Sequence, residues 1–127
     1  MAILQSIGLI SLGAAIGAST RWTITLLLES VLSFLSFGTL IANYLGCFII
    51  GIMLAIFLQH PNLSSEWRLF IVTGFLGSLT TFSSFSLEVV DNFLAEKWLT
   101  GIGIISLHLL GCLFLTGLGF FIWKNLF

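Results

Sequence analysis

The sequence predicts an all-α membrane protein in which 127 residues form a single domain, residues 1–127, of four transmembrane helices. Only 7% of the residues are charged and 58% are hydrophobic, whereas a soluble domain carries about a quarter of its residues as charges. The apolar runs are continuous rather than alternating with polar residues, which favours helices over a barrel. Four spans of about 20 residues fill this length, which excludes a catalytic lobe, a nucleotide-binding fold and a nucleic-acid-binding surface.

The first span is expected at residues 3–28, an apolar run interrupted by Arg21. No Lys or Arg precedes this run, unlike the start of a cleavable signal peptide, so we interpret it as a retained span. Gly13, Gly17 and Arg21 lie on one i, i+4 row of the helix. Because small residues let helix backbones approach each other in a membrane, this row is expected to face protein.

The second span is expected at residues 38–58, after a turn-like stretch at residues 30–37. Asn43, Cys47 and Gly51 lie on one i, i+4 row of this span. An amide buried in a bilayer costs free energy unless it finds a partner or water, so this row is also expected to face protein. Helix packing explains the glycine, whereas for Asn43 packing and a functional role both stay open.

The third span is expected at residues 68–95, after a polar loop at residues 59–67. Six hydroxyl residues crowd its middle: Ser78, Thr80, Thr81, Ser83, Ser84 and Ser86. Hydroxyls compete for backbone hydrogen bonds and nearby glycines add conformational freedom, so we predict that this helix is broken near its middle. A bent but unbroken helix, whose serines bond back to its own carbonyls, is the alternative.

A break at membrane depth would create an ion site. Unpaired backbone groups are tolerated there only inside protein or beside water or an ion. Freed carbonyls favour a cation, whereas hydroxyl hydrogens and the Asn43 amide favour an anion. Phe82 and Phe85 lie one turn apart on the second half of the span. Packing is the commoner role of such a pair, but their electropositive ring edges also suit a small anion.

The fourth span is expected at residues 98–123, and His108, Cys112 and Thr116 form a polar or polarizable row on it. The aligned row indicates a wet pathway, although a single interior histidine is more often a satisfied structural residue. Cys47 and Cys112 lie in apolar runs without a neighbour at metal-ligand spacing. We interpret both as small packing residues.

Charges and tryptophans mark the ends of the spans without orienting them. Arg68 and Lys124 flank one side of the predicted bundle and Arg21 and Lys97 the other, so the positive-inside rule counts two against two. Either a small protein gives weak statistics, or both orientations are inserted and an upward copy pairs with a downward copy. The tryptophans all lie near predicted ends, as expected at the headgroup layer: Trp22, Trp67, Trp98 and Trp123.

Over nearly its whole length the chain resembles the small bacterial fluoride channels of the Fluc/CrcB family. The matching segments are Gly13 to Gly17 followed by Arg21-Trp22, the run from Gly38 to Asn43 and, most specifically, the run from Gly74 to Ser86 with Glu88. The resemblance implies a fluoride-selective channel that passively exports cytoplasmic fluoride and relieves its toxicity, rather than an enzyme. It also implies an antiparallel, dual-topology homodimer in the lipid of the bacterial inner membrane, with two pores and a structural sodium ion at the dimer centre.

The resemblance also assigns roles to individual residues. It places on the fluoride path the side chains of Asn43, Phe82, Phe85, Ser83, Ser84, His108 and Thr116. The backbone carbonyls of Gly77 and Thr80 from both subunits would hold the sodium ion. Cys112 stands where other members of the family have a hydroxyl. Arg21 and Glu88 are candidates for an aqueous vestibule, and an Arg21 that snorkels to the interface is the alternative.

The main rival is a small multidrug-type exporter that couples proton entry to cation export. That chemistry needs a membrane-embedded carboxylate. The first span has none, since its interior ionisable group is Arg21. A scaffold subunit without transport activity would explain the glycines but would leave the hydroxyl cluster and Asn43 without a role.

Overall fold

The computed structural model describes residues 2–30 and 37–127, and this part of the chain is helical, with no strand. Four of its helical stretches are long and apolar enough to cross a membrane. The all-α membrane class predicted from the sequence is therefore supported. The turn-like stretch predicted at residues 30–37 lies almost entirely outside the described residues.

Five helices make up the described chain: α1 (Ile3–Glu29), α2 (Phe37–Gln59), α3 (residues 65–79), α4 (Phe82–Leu94) and α5 (Trp98–Leu126). Helices α3 and α4 share the third apolar stretch. Helix α3 begins before residue 68, the predicted start of that span. Glu66 in its first turn favours this earlier start, because a carboxylate near a helix N-terminus complements the helix dipole.

Helices α1 and α3 pack backbone against backbone. The middle of α3, Leu69–Leu76, has the wider turns of a π-helix. A Cβ atom at Gly13 would overlap the Phe70 carbonyl, and one at Gly17 would overlap the Phe75 carbonyl. Both glycines are buried. The prediction that this row of α1 faces protein is confirmed.

Helices α2 and α5 make the second close pair. A Cβ atom at Gly51 would overlap the Thr116 carbonyl, and one at Gly119 would overlap the Phe48 carbonyl. Ala55 on the same row of α2 is also buried. This row therefore faces protein as well. Its contact with α5 sets the row of Asn43, Cys47 and Gly51 against the polar row of α5.

The outer surface of the helices is apolar. The small core contains Ala42, Leu76 and Leu79, whereas many large side chains such as Leu99 and Leu113 are exposed. Because lipid tails are as apolar as leucine, such a surface suits a bilayer and needs no further covering there.

Candidate functional site

The candidate site is built around two extended residues between α3 and α4. Thr80 has φ −88° and ψ 152°, and Thr81 has φ −148° and ψ 116°. The Thr80 amide still donates to the Leu76 carbonyl at 3.1 Å, which closes the last turn of α3. The Thr81 hydroxyl accepts from the Ser84 amide at 3.2 Å and so caps the N-terminus of α4.

The Asn43 carboxamide pairs with both backbone groups of Thr81. The Thr81 amide donates to Asn43 Oδ1 at 2.7 Å, and Asn43 Nδ2 donates to the Thr81 carbonyl at 3.2 Å. An amide side chain offers the same donor and acceptor as a peptide group, so Asn43 supplies the pairing that the extended backbone cannot find within a helix. Asn43 is buried on α2, which explains the polar residue in an apolar span.

The carbonyls at the end of α3 have lost their ordinary helical partners. In a continuous helix the Thr81 amide would donate to the Gly77 carbonyl, but it donates to Asn43 instead. The Ser84 amide would likewise donate to the Thr80 carbonyl, but it donates to the Thr81 hydroxyl. Two carbonyl oxygens are thus released from the helical pattern.

Arg21 contacts a third carbonyl of the same group. Its Nε atom donates to the Ser78 carbonyl at 3.0 Å, and the Ser78 hydroxyl donates to the Ala14 carbonyl at 3.0 Å. Arg21 therefore binds the end of α3 from α1. The sequence indicated that the row containing Arg21 faces protein but gave no sign of this bond.

His108 on α5 completes the polar cluster. The Thr81 amide can only donate, so the Asn43 atom facing it is Oδ1 and the atom facing His108 is Nδ2. Nδ2 lies 3.1 Å from His108 Nδ1, which must then accept, and the neutral ring carries its hydrogen on Nε2. Both hydrogens of the Asn43 amide are engaged in this arrangement.

Two phenylalanines line one wall of the site. The rings of Phe82 and Phe85 meet edge to face, with centroids 5.2 Å apart and planes at 66°. The Phe85 and His108 ring centroids lie 4.5 Å apart. Phe85 is 6% exposed but Phe82 is 72% exposed, so one ring is buried and the other lies at the surface of the chain.

These groups surround a cavity of about 280 Å³ between α2, α4 and α5. Asn43, Thr81, Phe82, Phe85 and His108 line it together with Cys47 and Cys112. The aromatic and aliphatic wall with a few convergent polar groups is typical of a small-ligand site. The structure thus brings together four of the residues predicted for the path.

The other predicted path residues lie around this cavity rather than on its wall. The Ser83 and Ser84 hydroxyls lie 3.1 Å and 3.3 Å from the Thr81 hydroxyl, so they extend the polar cluster along the first turn of α4. Thr116 donates to the Cys112 carbonyl at 3.0 Å on α5. Glu88 is half-buried on α4, and its carbonyl accepts from Asn92 Nδ2 at 2.8 Å.

Thr81 is the residue that sequence reasoning missed as a partner of Asn43. The hydroxyl cluster indicated its neighbourhood, and an amide in an apolar span indicated that something must pair with Asn43. Nothing in the sequence joined these two signals, because the bond links positions 38 residues apart.

Comparison with known proteins shows the family of the chain. Residues 8–120 match the family model described as CrcB-like protein, Camphor Resistance (CrcB). The chain is similar to a protein of Mannheimia succiniciproducens named fluoride-specific ion channel FluC, with 61% identity over 98% of this chain and 100% of that protein. Proteins with the same name from Pasteurella multocida and Histophilus somni are 61% and 65% identical, over 94% and 91% of each chain.

Proposed function

The chain belongs to the CrcB family of fluoride channels, and on that premise we propose that it is a channel through which fluoride leaves the cytoplasm passively. It is a multi-pass membrane protein and a channel rather than an enzyme. The observation that carries the proposal is the largely apolar cavity beside Thr80 and Thr81, on whose wall the polar side chains of Asn43 and His108 converge.

The cavity offers what a dehydrated fluoride ion requires. Fluoride is small and strongly hydrated, so a pore must replace its water with hydrogen-bond donors and other positive groups. The edges of Phe82 and Phe85, the hydroxyls of Ser83 and Ser84 and the Nε2 hydrogen of His108 supply them without a fixed charge. Chloride is larger and less basic, so its bonds to neutral donors in a narrow path compensate poorly for the loss of its hydration water.

Asn43 takes part in this path by exchanging one hydrogen-bond acceptor, His108, for the fluoride ion. Both hydrogens of its amide are engaged, one with the Thr81 carbonyl and one with His108. A passing fluoride ion would accept a hydrogen bond from the amide hydrogen that faces His108. When the ion leaves, the same amide hydrogen would again donate to His108 Nδ1. Such weak and replaceable donors suit a channel, since binding must permit release. Thr116 lies further along α5, where its hydroxyl could similarly exchange its bond to Cys112.

The carbonyls of Gly77 and Thr80 fit the sodium ion that the family implies. They are neutral oxygen ligands, which hard cations prefer. The two amides that would donate to these carbonyls in a continuous helix donate instead to Asn43 and to the Thr81 hydroxyl. Gly77 and Thr80 also line one open cavity of about 250 Å³ with Gly46 and Leu76. Bound there, sodium would add a fixed positive charge near the path.

A second copy in the opposite orientation would complete the site. Phe82 is exposed although its ring belongs to the candidate path, and the cavity at Gly77 and Thr80 opens at the surface of the chain. The even distribution of Lys and Arg permits both orientations. An antiparallel homodimer would cover these surfaces and contain two equivalent pores. Arg21 and Glu88 would flank the mouths of these pores.

The membrane potential supplies the driving force for export. Hydrogen fluoride crosses a membrane as a neutral acid and dissociates at neutral pH, so the anion accumulates inside. A negative interior favours exit of each anion by about 2.3 kcal/mol per 100 mV. Because the bacterial inner membrane maintains such a potential, we propose that export takes place across that membrane.

A flux assay on purified protein tests this function directly. Liposomes loaded with fluoride and containing the protein should release fluoride to an external electrode when valinomycin and potassium balance the charge. Liposomes loaded with chloride should release little. A lipophilic cation offered with a proton gradient should not be transported, since transport of the cation without fluoride release would favour the multidrug-type exporter.

A further inference from the structure

Helices α2 and α5 carry facing rows that run in the same direction. Asn43 meets His108 across 65 residues of chain, and the same separation relates Cys47 to Cys112, one turn further along both helices. The shared register places Cys47 and Cys112 on facing rows beside one cavity, and both cysteines are free and half-buried. The function proposed above uses neither thiol.

Backbone contact holds the two cysteines in place. One turn beyond them, Gly51 packs against the Thr116 carbonyl so closely that no Cβ atom fits. One turn before them, Asn43 and His108 are joined by their hydrogen bond. The thiol pair is therefore fixed between two close contacts, and both cysteines line the cavity of the candidate path.

We propose that Cys47 and Cys112 form a two-sulfur binding site for a soft divalent metal cation, the class represented by Hg²⁺. Thiolate sulfur is a soft ligand and selects soft metals. In residues 2–30 and 37–127 no group of three or more His, Cys, Asp or Glu residues could hold a metal. The pair thus offers two ligands, the number that a linear soft cation requires.

The charge balance favours a divalent ion. When mercuric chloride binds, two S–H bonds and two Hg–Cl bonds break and two S–Hg bonds form. Two protons and two chloride ions leave, and no electron is transferred. Two thiolates with one divalent cation have no net charge, which keeps the desolvation cost low in an apolar cavity. A monovalent ion between two thiolates would leave one negative charge buried.

The consequence for transport rests on the proposed function. A metal held by Cys47 and Cys112 would lie on the cavity wall beside Phe85 and His108. It would narrow the space through which fluoride passes, so occupancy should inhibit efflux.

Metal retention tests the site independently of transport. The chain has two cysteines, so Cys47→Ser and Cys112→Ser each leave one thiol and the double variant leaves none. Each purified protein is treated with one equivalent of mercuric chloride and then with rising concentrations of free cysteine. The wild type should retain one mercury per chain to at least about tenfold more competing thiol than either single variant, because the second sulfur binds within the same molecule.

Thiol counting in the wild type gives a second measurement that needs no variant. One mercury ion should remove both titratable thiols, whereas removal of one thiol per ion would contradict the proposal. Equal retention by the wild type and the single variants would also overturn it.

Efflux assays then separate this inference from the proposed function. Mercuric chloride should lower wild-type fluoride efflux at least about tenfold relative to the untreated protein, and a dithiol should restore it. The double variant, compared with its own untreated rate, should be insensitive, and equal inhibition of this variant would overturn the inference. If untreated wild type released no fluoride while mercury was retained, the proposed function would fail and the metal site would stand.

Discussion

The α1–α3 and α2–α5 contacts use the same packing device but differ in what lies beside it. In each pair a glycine row brings one helix against the carbonyls of the other, at Gly13 and Gly17 in the first and at Gly51 in the second. The half-buried polar groups Arg21 and Ser78, between α1 and α3, bond directly to backbone carbonyls. A pair of polar side chains, Gln5 and Glu66, also joins these two helices at 3.4 Å, but it is exposed, whereas the pair of Asn43 and His108 is buried.

Between α2 and α5, a buried pair of polar side chains and a cavity lie beside the glycine contact. Asn43 meets His108, and the cavity beside them reaches Phe82 and Phe85. Small residues on a membrane helix therefore indicate close packing, which is common to both contacts. A buried amide and a buried imidazole on the same rows indicate the functional site, and they are found only in the second contact among the described residues. The predictions that follow test this difference.

The largest combined effect on efflux and on hydrogen bonding is expected from Asn43→Asp. One carboxylate oxygen can accept from the Thr81 amide, but the other then faces the Thr81 carbonyl and His108 Nδ1, which are both acceptors. Two lost bonds and a buried negative charge on the path should reduce fluoride efflux by about a hundredfold or more. The measurement is electrode-detected efflux from liposomes with equal protein content.

Asn125→Asp is the matched control for this change. Asn125 is exposed in the last turn of α5 and does not line the cavity. It should conduct at close to the wild-type rate. Normal efflux through Asn43→Asp would remove Asn43 from the path.

Phe82→Ile and Phe85→Ile are expected to abolish efflux while dimers still form. Isoleucine fills part of the volume but has no electropositive ring edge. The Phe85 change also removes the ring contact with His108. Efflux and size-exclusion chromatography with light scattering measure the two properties separately.

Phe121→Ile provides the control, because Phe121 is 64% exposed on the apolar surface of α5. It should leave efflux unchanged. If both Phe82→Ile and Phe85→Ile conducted normally, their role in the path would be rejected.

Alanine at the packing glycines should separate stability from transport. Gly51→Ala and Gly13→Ala both force a methyl group against a carbonyl and should each destabilise by about 1–3 kcal/mol. Only Gly51→Ala should also slow efflux per folded dimer, because it moves α2 away from α5 beside the cavity. Detergent unfolding measures the first effect and liposome flux the second.

Gly8→Ala and Gly117→Ala are the controls, since a Cβ atom there meets no other atom within 4 Å. Both should retain stability. Equal loss of efflux in Gly13→Ala and Gly51→Ala, after correction for folded protein, would contradict the distinction between the two contacts.

Periodicity and composition predicted more of the fold than of the site. Long uncharged runs are sufficient to locate membrane helices, and the i, i+4 rows identified the faces at Gly13 and Gly51. The hydroxyl cluster located the extended residues within the third apolar stretch. The pairing of Asn43 with Thr81, by contrast, depends on how three helices meet, and that geometry has no local sequence signature.

Arg21 shows the same limit from another direction. Its charge alone left a vestibule and an interfacial position open. Its bond to the Ser78 carbonyl arises because α3 ends there and leaves carbonyls without helical donors. The need for a donor could be inferred from an interrupted helix, but not which residue of another helix supplies it.

The smallest effect is expected from Ser78→Ala. The Ser78 hydroxyl lies within bonding distance of the Ala14 carbonyl on α1 and of the Gly74 and Phe75 carbonyls on its own helix. A hydrogen bond between membrane helices contributes about 0.6 kcal/mol on average, and here one hydrogen is shared among three acceptors. Ser78→Ala should therefore destabilise by about 0.5 kcal/mol in a detergent unfolding titration.

Thr23→Ala separates the interhelical part of that loss. The Thr23 hydroxyl donates to the Ser19 carbonyl at 2.8 Å within α1 and bonds to no other helix among the described residues, so its removal should change stability less than Ser78→Ala does. If Ser78→Ala cost several kcal/mol instead, the α1–α3 contact would depend on this polar bond. Glycine packing would then not be sufficient to hold α1 against α3, and the contrast between the two contacts would be one of degree.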